Sequence, residues 1–159
     1  MVNDMLEKVV KLLIEKNKTL SIMESCTGGH ISDLITNIEG ASKVLVFSCI
    51  PYNDEYKIKF GVRESTIREY TANSLETAKE MGRCISSYTK SDFGIGITGT
   101  ITKASPLEPT PPVDTVYISI YKRETNQIFV SSLNLINATH EEKKNDIAAF
   151  IRDTMSKLI

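Results

Sequence analysis

The sequence predicts a three-layer α/β/α domain built around a mixed β-sheet, and three observations carry that prediction. Helical and strand patterns alternate through roughly the first hundred residues. Two strand patterns then follow one another across a short polar turn, which is the signature of a hairpin. The chain closes on a capped amphipathic helix.

In chain order, Leu6, Val9, Val10 and Leu13 recur at helical spacing with Glu7, Lys8 and Lys11 between them, and Asn17 supplies a stop. Thr19–Met23 reads as a short strand. Beyond the turn from Glu24 to Gly29, Ile31, Leu34, Ile35 and Ile38 mark a second amphipathic helix. Lys43–Ile50 is apolar and β-branched, which predicts a buried strand ended by Pro51. Ser74 caps a helix whose inward positions are Leu75, Ala78, Met81 and Ile85. Asp92–Thr98 is expected as a central strand, with Gly94 and Gly96 leaving one face bare for a close neighbour. Thr100–Asp114 has no periodicity and holds four of the five prolines, so it reads as a long surface loop. Thr115–Lys122 and Gln127–Leu135, on either side of Arg123-Glu124-Thr125-Asn126, form the hairpin. Thr139-x-x-Glu142 is a capping box for the last helix, whose inward stripe is Ile147, Phe150, Ile151, Thr154 and Leu158.

Composition narrows the function classes. A chain of 159 residues suits one domain, here 1–159, with no internal repeat or interdomain linker. Nineteen Lys plus Arg against 20 Asp plus Glu give a net charge of -1, without the basic excess of a nucleic-acid binder. No apolar run approaches the ~20 residues of a membrane span. Met1-Val2-Asn3-Asp4 lacks the basic, then apolar, start of a secretory signal. Cys26, Cys49 and Cys84 are odd in number and share no metal-like spacing. A reduced, cytoplasmic protein without a structural metal is expected.

The chemistry concentrates in Glu24-Ser25-Cys26-Thr27-Gly28-Gly29, between a strand and a helix. Open α/β sheets bind ligands at such turns. Adjacent glycines let backbone N–H groups approach a substrate, and a helix N-terminus favours negative charge, so the turn suits an oxyanion hole and a phosphate equally. Ser25 and Thr27 offer hydroxyls and Cys26 a thiol. The plain alternative is a helix capped by Ser25 or Thr27, with the glycines serving only the turn. Spacing alone favours the plain alternative.

Other motifs carry less. Gly94-Ile95-Gly96-Ile97-Thr98-Gly99 matches G-x-G-x-x-G, but it lies inside a strand pattern and no helix follows it, so the dinucleotide fingerprint lacks its context. Cys26 and His30 stand four apart, as a thiolate and imidazole on one helix face would. His30 as an ordinary residue of the first turn explains the same spacing. His140 beside Glu141 and Glu142 reads as a solvated neighbour of the last cap. Neither histidine has a carboxylate and nucleophile set around it that would make a triad.

The residues nevertheless resemble a family, the competence/damage-inducible CinA C-terminal domain family, over nearly the whole chain. Glu24-Ser25-Cys26-Thr27-Gly28-Gly29 is identical to its E-S-C-T-G-G signature. Tyr52-Asn53-Asp54-Glu55-Tyr56-Lys57, followed by Phe60-Gly61-Val62, is similar to its Y-S-N-x-x-K segment and L-G-V. Ala72, Ser74, Glu76 and Ala78 fit A-V-S-x-E-x-A. Ile97-Thr98-Gly99 corresponds to V-T-G, and Pro112-Val113-Asp114-Thr115-Val116-Tyr117 to P-V-G-T-V-Y. Larger family proteins carry an extra N-terminal domain; with 24 residues before Ser25, the chain resembles the stand-alone form.

The resemblance implies an amidohydrolase of the nicotinamide mononucleotide deamidase type, which turns a carboxamide into a carboxylate with release of ammonia. Ser25 would be the nucleophile, Lys57 its base and Tyr52 the helper, with Cys26 packed inward. Thr27, Gly28, Gly29, Thr98 and Gly99 would contact a small nucleotide or amide substrate, with backbone N–H groups near Gly28 holding the oxyanion. Neither metal nor organic cofactor is implied; a homo-oligomer is.

The chain also departs from the pattern. Thr100-Ile101-Thr102-Lys103-Ala104-Ser105 replaces a glycine-rich loop, Asp54 replaces an asparagine, and Thr139 and Lys143 stand where arginines are expected. Loss of bidentate arginine weakens a phosphate site. The prolines and missing glycines of Thr100–Asp114 shape a different pocket wall, which predicts nicotinamide mononucleotide affinity nearer millimolar than micromolar, a gap of roughly 4 kcal/mol. A non-catalytic binding or regulatory relative, or an amidohydrolase with another amide substrate, fits the same departures.

Overall fold

The helical stripe of Val9, Val10 and Leu13 is buried along α1 (Glu7–Glu15), and Asn17, at φ 54°, turns the chain out of the helix into β1 (Leu20–Glu24). The structure, a computed structural model, describes residues 4–102, 114–136 and 139–159. After the Ser25–Gly29 turn comes α2 (His30–Thr36), with Ile31, Leu34 and Ile35 inward, then a short 3-10 turn at Ala41–Lys43 and β2 (Leu45–Cys49). Two short helices follow: α3 (Asp54–Lys59), with Asn53 Oδ1 accepting the Glu55 N–H as cap, and α4 (Glu64–Tyr70). Ser74 caps α5 (Leu75–Thr89) by accepting from Thr77 N. Then come β3 (Phe93–Gly99), the hairpin of β4 (Asp114–Lys122) and β5 (Gln127–Leu135), and α6 (His140–Leu158), capped by Thr139 on the Glu142 N–H.

The sheet is mixed, with strands in the order β2-β1-β3-β4-β5. β2, β1 and β3 are parallel, and β4 and β5 run antiparallel to their neighbours. Strand alternation assigns the two faces. Leu20, Ile22, Phe93, Ile95, Ile97, Val116, Ile118 and Ile120 enter one core with α1, α2 and α6. The opposite face carries α5, and Met23 packs there with Met81, Ile85 and Val62. On that face a Cβ at Gly96 would lie 2.5 Å from Ala78 O and 2.6 Å from Gly82 N, so bare glycine is what lets the α5 backbone rest on β3. Ser119 Oγ donates to Ala78 O across the same contact.

The expected α/β/α layering and C-terminal hairpin are therefore present. Two local expectations change. The Lys43–Ile50 run is not a buried central strand: only Leu45–Cys49 pairs, at the sheet edge, with Val46 and Ile50 exposed. An apolar run covered on one side reads locally like one covered on both. Leu75 is exposed at the start of α5, because the buried face begins at Thr77 and Ala78. The prolines of the expected long loop fall outside the described residues.

Candidate active site

The turn after β1 is organised by a carboxylate. Glu24 is fully buried, and its Oε1 accepts from Thr27 Oγ1 at 2.7 Å, Gly29 N at 2.9 Å and Ile31 N at 3.3 Å. Its Oε2 accepts from Ser32 N at 3.0 Å and Ser32 Oγ at 2.6 Å. One acid side chain thus satisfies the orphan N–H groups that open α2. Gly28 and Gly29 complete the turn at φ 61° and 99°. The Ser25 N–H donates to Ile97 O, which fixes the residue to β3 at the centre of the sheet.

Ser25 is 6% exposed, and its Oγ lies 3.2 Å from Nζ of Lys57, itself only 2% exposed. Lys57 reaches it from the last turn of α3. Its Nζ also donates to Pro51 O at 2.9 Å and Tyr52 O at 3.4 Å. Burial pushes the Lys57 amine below its usual 10.5, although the Asp54 carboxylate pulls it back up. Those two carbonyls can only accept, so they occupy two N–H bonds. The third direction at nitrogen faces Ser25, where a neutral amine has its lone pair.

Cys26 diverges from Ser25 and packs partly against the main core, with one side bordering the same cleft. Burial pushes its thiol up to about 12, far from the thiolate a nucleophile needs. Its expected partner is engaged elsewhere: His30 Nε2 bonds Asn145 Oδ1 at 2.9 Å. All three cysteines are free, and among the described residues no cluster of His, Cys, Asp and Glu could hold a metal.

A cleft of about 410 Å³ opens over Ser25 and Lys57. Gly28, Tyr52, Asp54 and Gly99 line it, with Ala72, Asn73, Thr100 and Ile101 farther along. Tyr52 is 72% exposed at its mouth. The structure thereby brings together Ser25, Tyr52, Lys57, Gly28 and Gly99. Thr27, Gly29 and Thr98 stand behind the wall: the Thr27 hydroxyl and the Gly29 N–H serve Glu24, and Thr98 Oγ1 donates to Ala72 O at 2.9 Å. The Gly28 N–H is also committed, to Ser25 O at 3.0 Å. Within the turn, Cys26 and Thr27 have the N–H groups without a carbonyl or carboxylate acceptor among the described residues.

Sequence reasoning missed two residues of the cleft wall. His140 and Lys144 face the cleft from α6, and Lys144 Nζ lies 3.7 Å from where a Cβ on Gly28 would be. Lys143 was the expected arginine substitute, yet it points into the protein and pairs with Asp114. The i, i+4 spacing of His140 and Lys144 was the available signal. Glu24 was missed as the organiser because its role depends on the fold of the turn it precedes.

Comparison with known proteins gives a consistent picture. The family model described as CinA C-terminal domain matches residues 2–155. A "Putative competence-damage inducible protein" of Thermoanaerobacter sp. (strain X514) is 42% identical over 134 residues, covering 82% of this chain and 31% of that protein. A "CinA-like protein" of Thermotoga neapolitana is 39% identical over 123 residues, covering 77% and 30%. The chain spans about a third of the length of these curated relatives. Among solved structures, a competence-damaged protein (CinA) superfamily protein from Klebsiella pneumoniae superposes with TM-score 0.87 at 22% identity, covering 99% of this chain and 96% of that one. The corresponding Escherichia coli protein gives 0.85 at 20% identity, covering 100% and 91%; both likenesses concern the fold.

Proposed function

The chain belongs to the CinA C-terminal domain family, and on that premise we propose that it is a serine amidohydrolase that converts a carboxamide, of the nicotinamide mononucleotide type, into a carboxylate and ammonia. The observation that carries this reading is the 3.2 Å contact between Ser25 Oγ and a buried Lys57 whose other donors are occupied. Lys57 Nζ takes the Ser25 proton as Oγ attacks the amide carbon. The N–H groups of Cys26 and Thr27 are the donors left in the turn for the oxyanion. Collapse of the tetrahedral adduct breaks the C–N bond, and Lys57 returns the proton to the departing ammonia. Water, deprotonated by the same amine, then hydrolyses the acyl-serine to release the carboxylate.

Lys144 supplies the cationic side that an anionic nucleotide needs, His140 stands beside it as a hydrogen-bonding ring, and Tyr52 at the mouth offers a ring face to a heterocycle. One observation favours a second substrate class. Asp54 lines the same cleft, and its charge suits an amide that lacks a phosphate. Assembly into a homo-oligomer in the cytoplasm is part of the proposal; among the described residues no helix is long and apolar enough to cross a membrane.

The test is ammonia release from nicotinamide mononucleotide and a panel of simple amides by wild type, Ser25→Ala and Cys26→Ala. Ser25→Ala should lower turnover at least about a thousandfold, and Cys26→Ala should cost far less. Loss of turnover in Cys26→Ala with near-normal Ser25→Ala would reverse the assignment. Silence of the wild type across the panel would leave the non-catalytic relative as the reading.

A further inference from the structure

We propose that Asp114 and Lys143 are positioning residues that hold the substrate-binding wall of this cleft in place, a role that rests on reading the cleft as the active site. Lys143 Nζ meets Asp114 Oδ2 at 2.7 Å, with the two side chains 1% and 5% exposed. The same Nζ donates to Thr102 O at 3.0 Å. Thr102 closes the ring: its N–H donates to Asp114 Oδ2 at 2.7 Å and its Oγ1 to Asp114 Oδ1 at 2.8 Å. Hydrogen bonds from Lys143 and Thr102 outweigh burial and hold the Asp114 carboxyl below the usual carboxylate range.

Three separate parts of the chain meet in this ring, and each presents the cleft with a residue close by. Thr102 directly follows Thr100 and Ile101, which line the wall. Lys143 sits in the first turns of α6 between His140 and Lys144, which line the rim. Asp114 opens β4, whose Val116 pairs with Gly99 at the cleft floor. Ser25 and Lys57 depend on none of these bonds. They are held by Ile97 O, by the Glu24 web and by the carbonyls of residues 51 and 52. The ring should therefore govern substrate binding and leave the chemical step alone.

Stability gives little reason for such a pair. Exchanging a buried ion pair for apolar residues of similar volume is often neutral or favourable, so the pair is better explained by the geometry it specifies.

The experiment uses Lys143→Met and the double variant Asp114→Asn/Lys143→Met, which leaves no uncompensated buried charge. Three readouts are taken: KM and kcat for ammonia release, thermal midpoint, and iodoacetamide labelling of Cys26 relative to Cys84 by peptide mass spectrometry. Cys26 shares the cleft with Ile101, and Cys84 lies on α5, so the ratio reports local opening separately from global loosening. Lys143→Met should raise KM about tenfold or more with kcat within about threefold, and raise the Cys26/Cys84 ratio about fivefold. The double variant should recover part of both changes. Unchanged KM and labelling ratio alongside a lower midpoint would reduce the ring to packing and overturn the proposal. If Lys143→Met does not fold, the double variant against wild type decides by the same two readouts. If wild type turns over no amide, the amidohydrolase reading fails, and the labelling ratio alone upholds or overturns the positioning role.

Discussion

Replacing Glu24 with glutamine tests whether a single carboxylate organises the Ser25 turn. The shapes are nearly the same, so the change acts through hydrogen-bond polarity. Oε1 accepts three bonds and cannot become NH2 without facing three donors, so the amide nitrogen must take the place of Oε2. There it meets Ser32 N, a donor, and Ser32 Oγ, which can reverse because it also bonds Ser48 Oγ. One buried N–H loses its acceptor, at roughly 1–3 kcal/mol, and the three bonds on Oε1 fall from charge-assisted to neutral strength, at about 1 kcal/mol each. Relief from burying a charge offsets part of this, which leaves a net loss of about 3 kcal/mol. For a domain of this size that corresponds to a fall of roughly 6–12 °C in the thermal midpoint. Urea unfolding should show a lower midpoint with an unchanged slope, since the surface exposed on unfolding stays the same. A loss below about 1 kcal/mol would refute the reasoning, because the turn would then hold without the charge.

Three further outcomes follow from the structure. Lys57 has a folded-state pKa below its unfolded value of 10.5, so between the two the unfolded chain binds the extra proton and stability rises with pH; Lys57→Met should flatten that rise in denaturation measured across alkaline pH. The same depressed value sets the acidic limb of kcat/KM, which should climb with pH and level off below 10.5. Gly96→Ala places a Cβ against the α5 backbone at Ala78 and Gly82 and should cost at least about 3 kcal/mol, whereas Gly28→Ala meets only Lys144 Nζ and should cost about 1 kcal/mol for its positive φ. Equal costs in thermal melts would contradict the close approach of α5 to β3.

What the sequence revealed divides along physical lines. The alternating elements, the hairpin and the caps at Ser74 and Thr139 were legible because periodicity and capping are local. Helix α4 was not, since Glu64–Tyr70 buries only Thr66 and shows no apolar stripe. The edge position of β2 was hidden because strand order is a tertiary property. At the site, the Ser25 turn was readable as a motif. The burial of Lys57 was not, as a lysine on a short helix reads by itself as a solvated charge. Lys143 and Lys144 show how fine the margin is. One residue turns a side chain by about 100° around a helix, enough to separate a buried ion pair from a cleft cation.

The bond from Ser25 N–H to Ile97 O bears on how this protein can change over evolutionary time. Main chain of the central strands fixes the proposed nucleophile, so substitutions elsewhere have little leverage on its position. Thr100, Ile101, His140 and Lys144 are side chains on the surrounding walls and carry no such constraint. New substrate preferences are therefore reachable by single changes around the mouth without passing through variants that lose the reaction centre. On the proposed amidohydrolase reading, a lineage can explore amides of different charge and size while inheriting one unaltered Ser25.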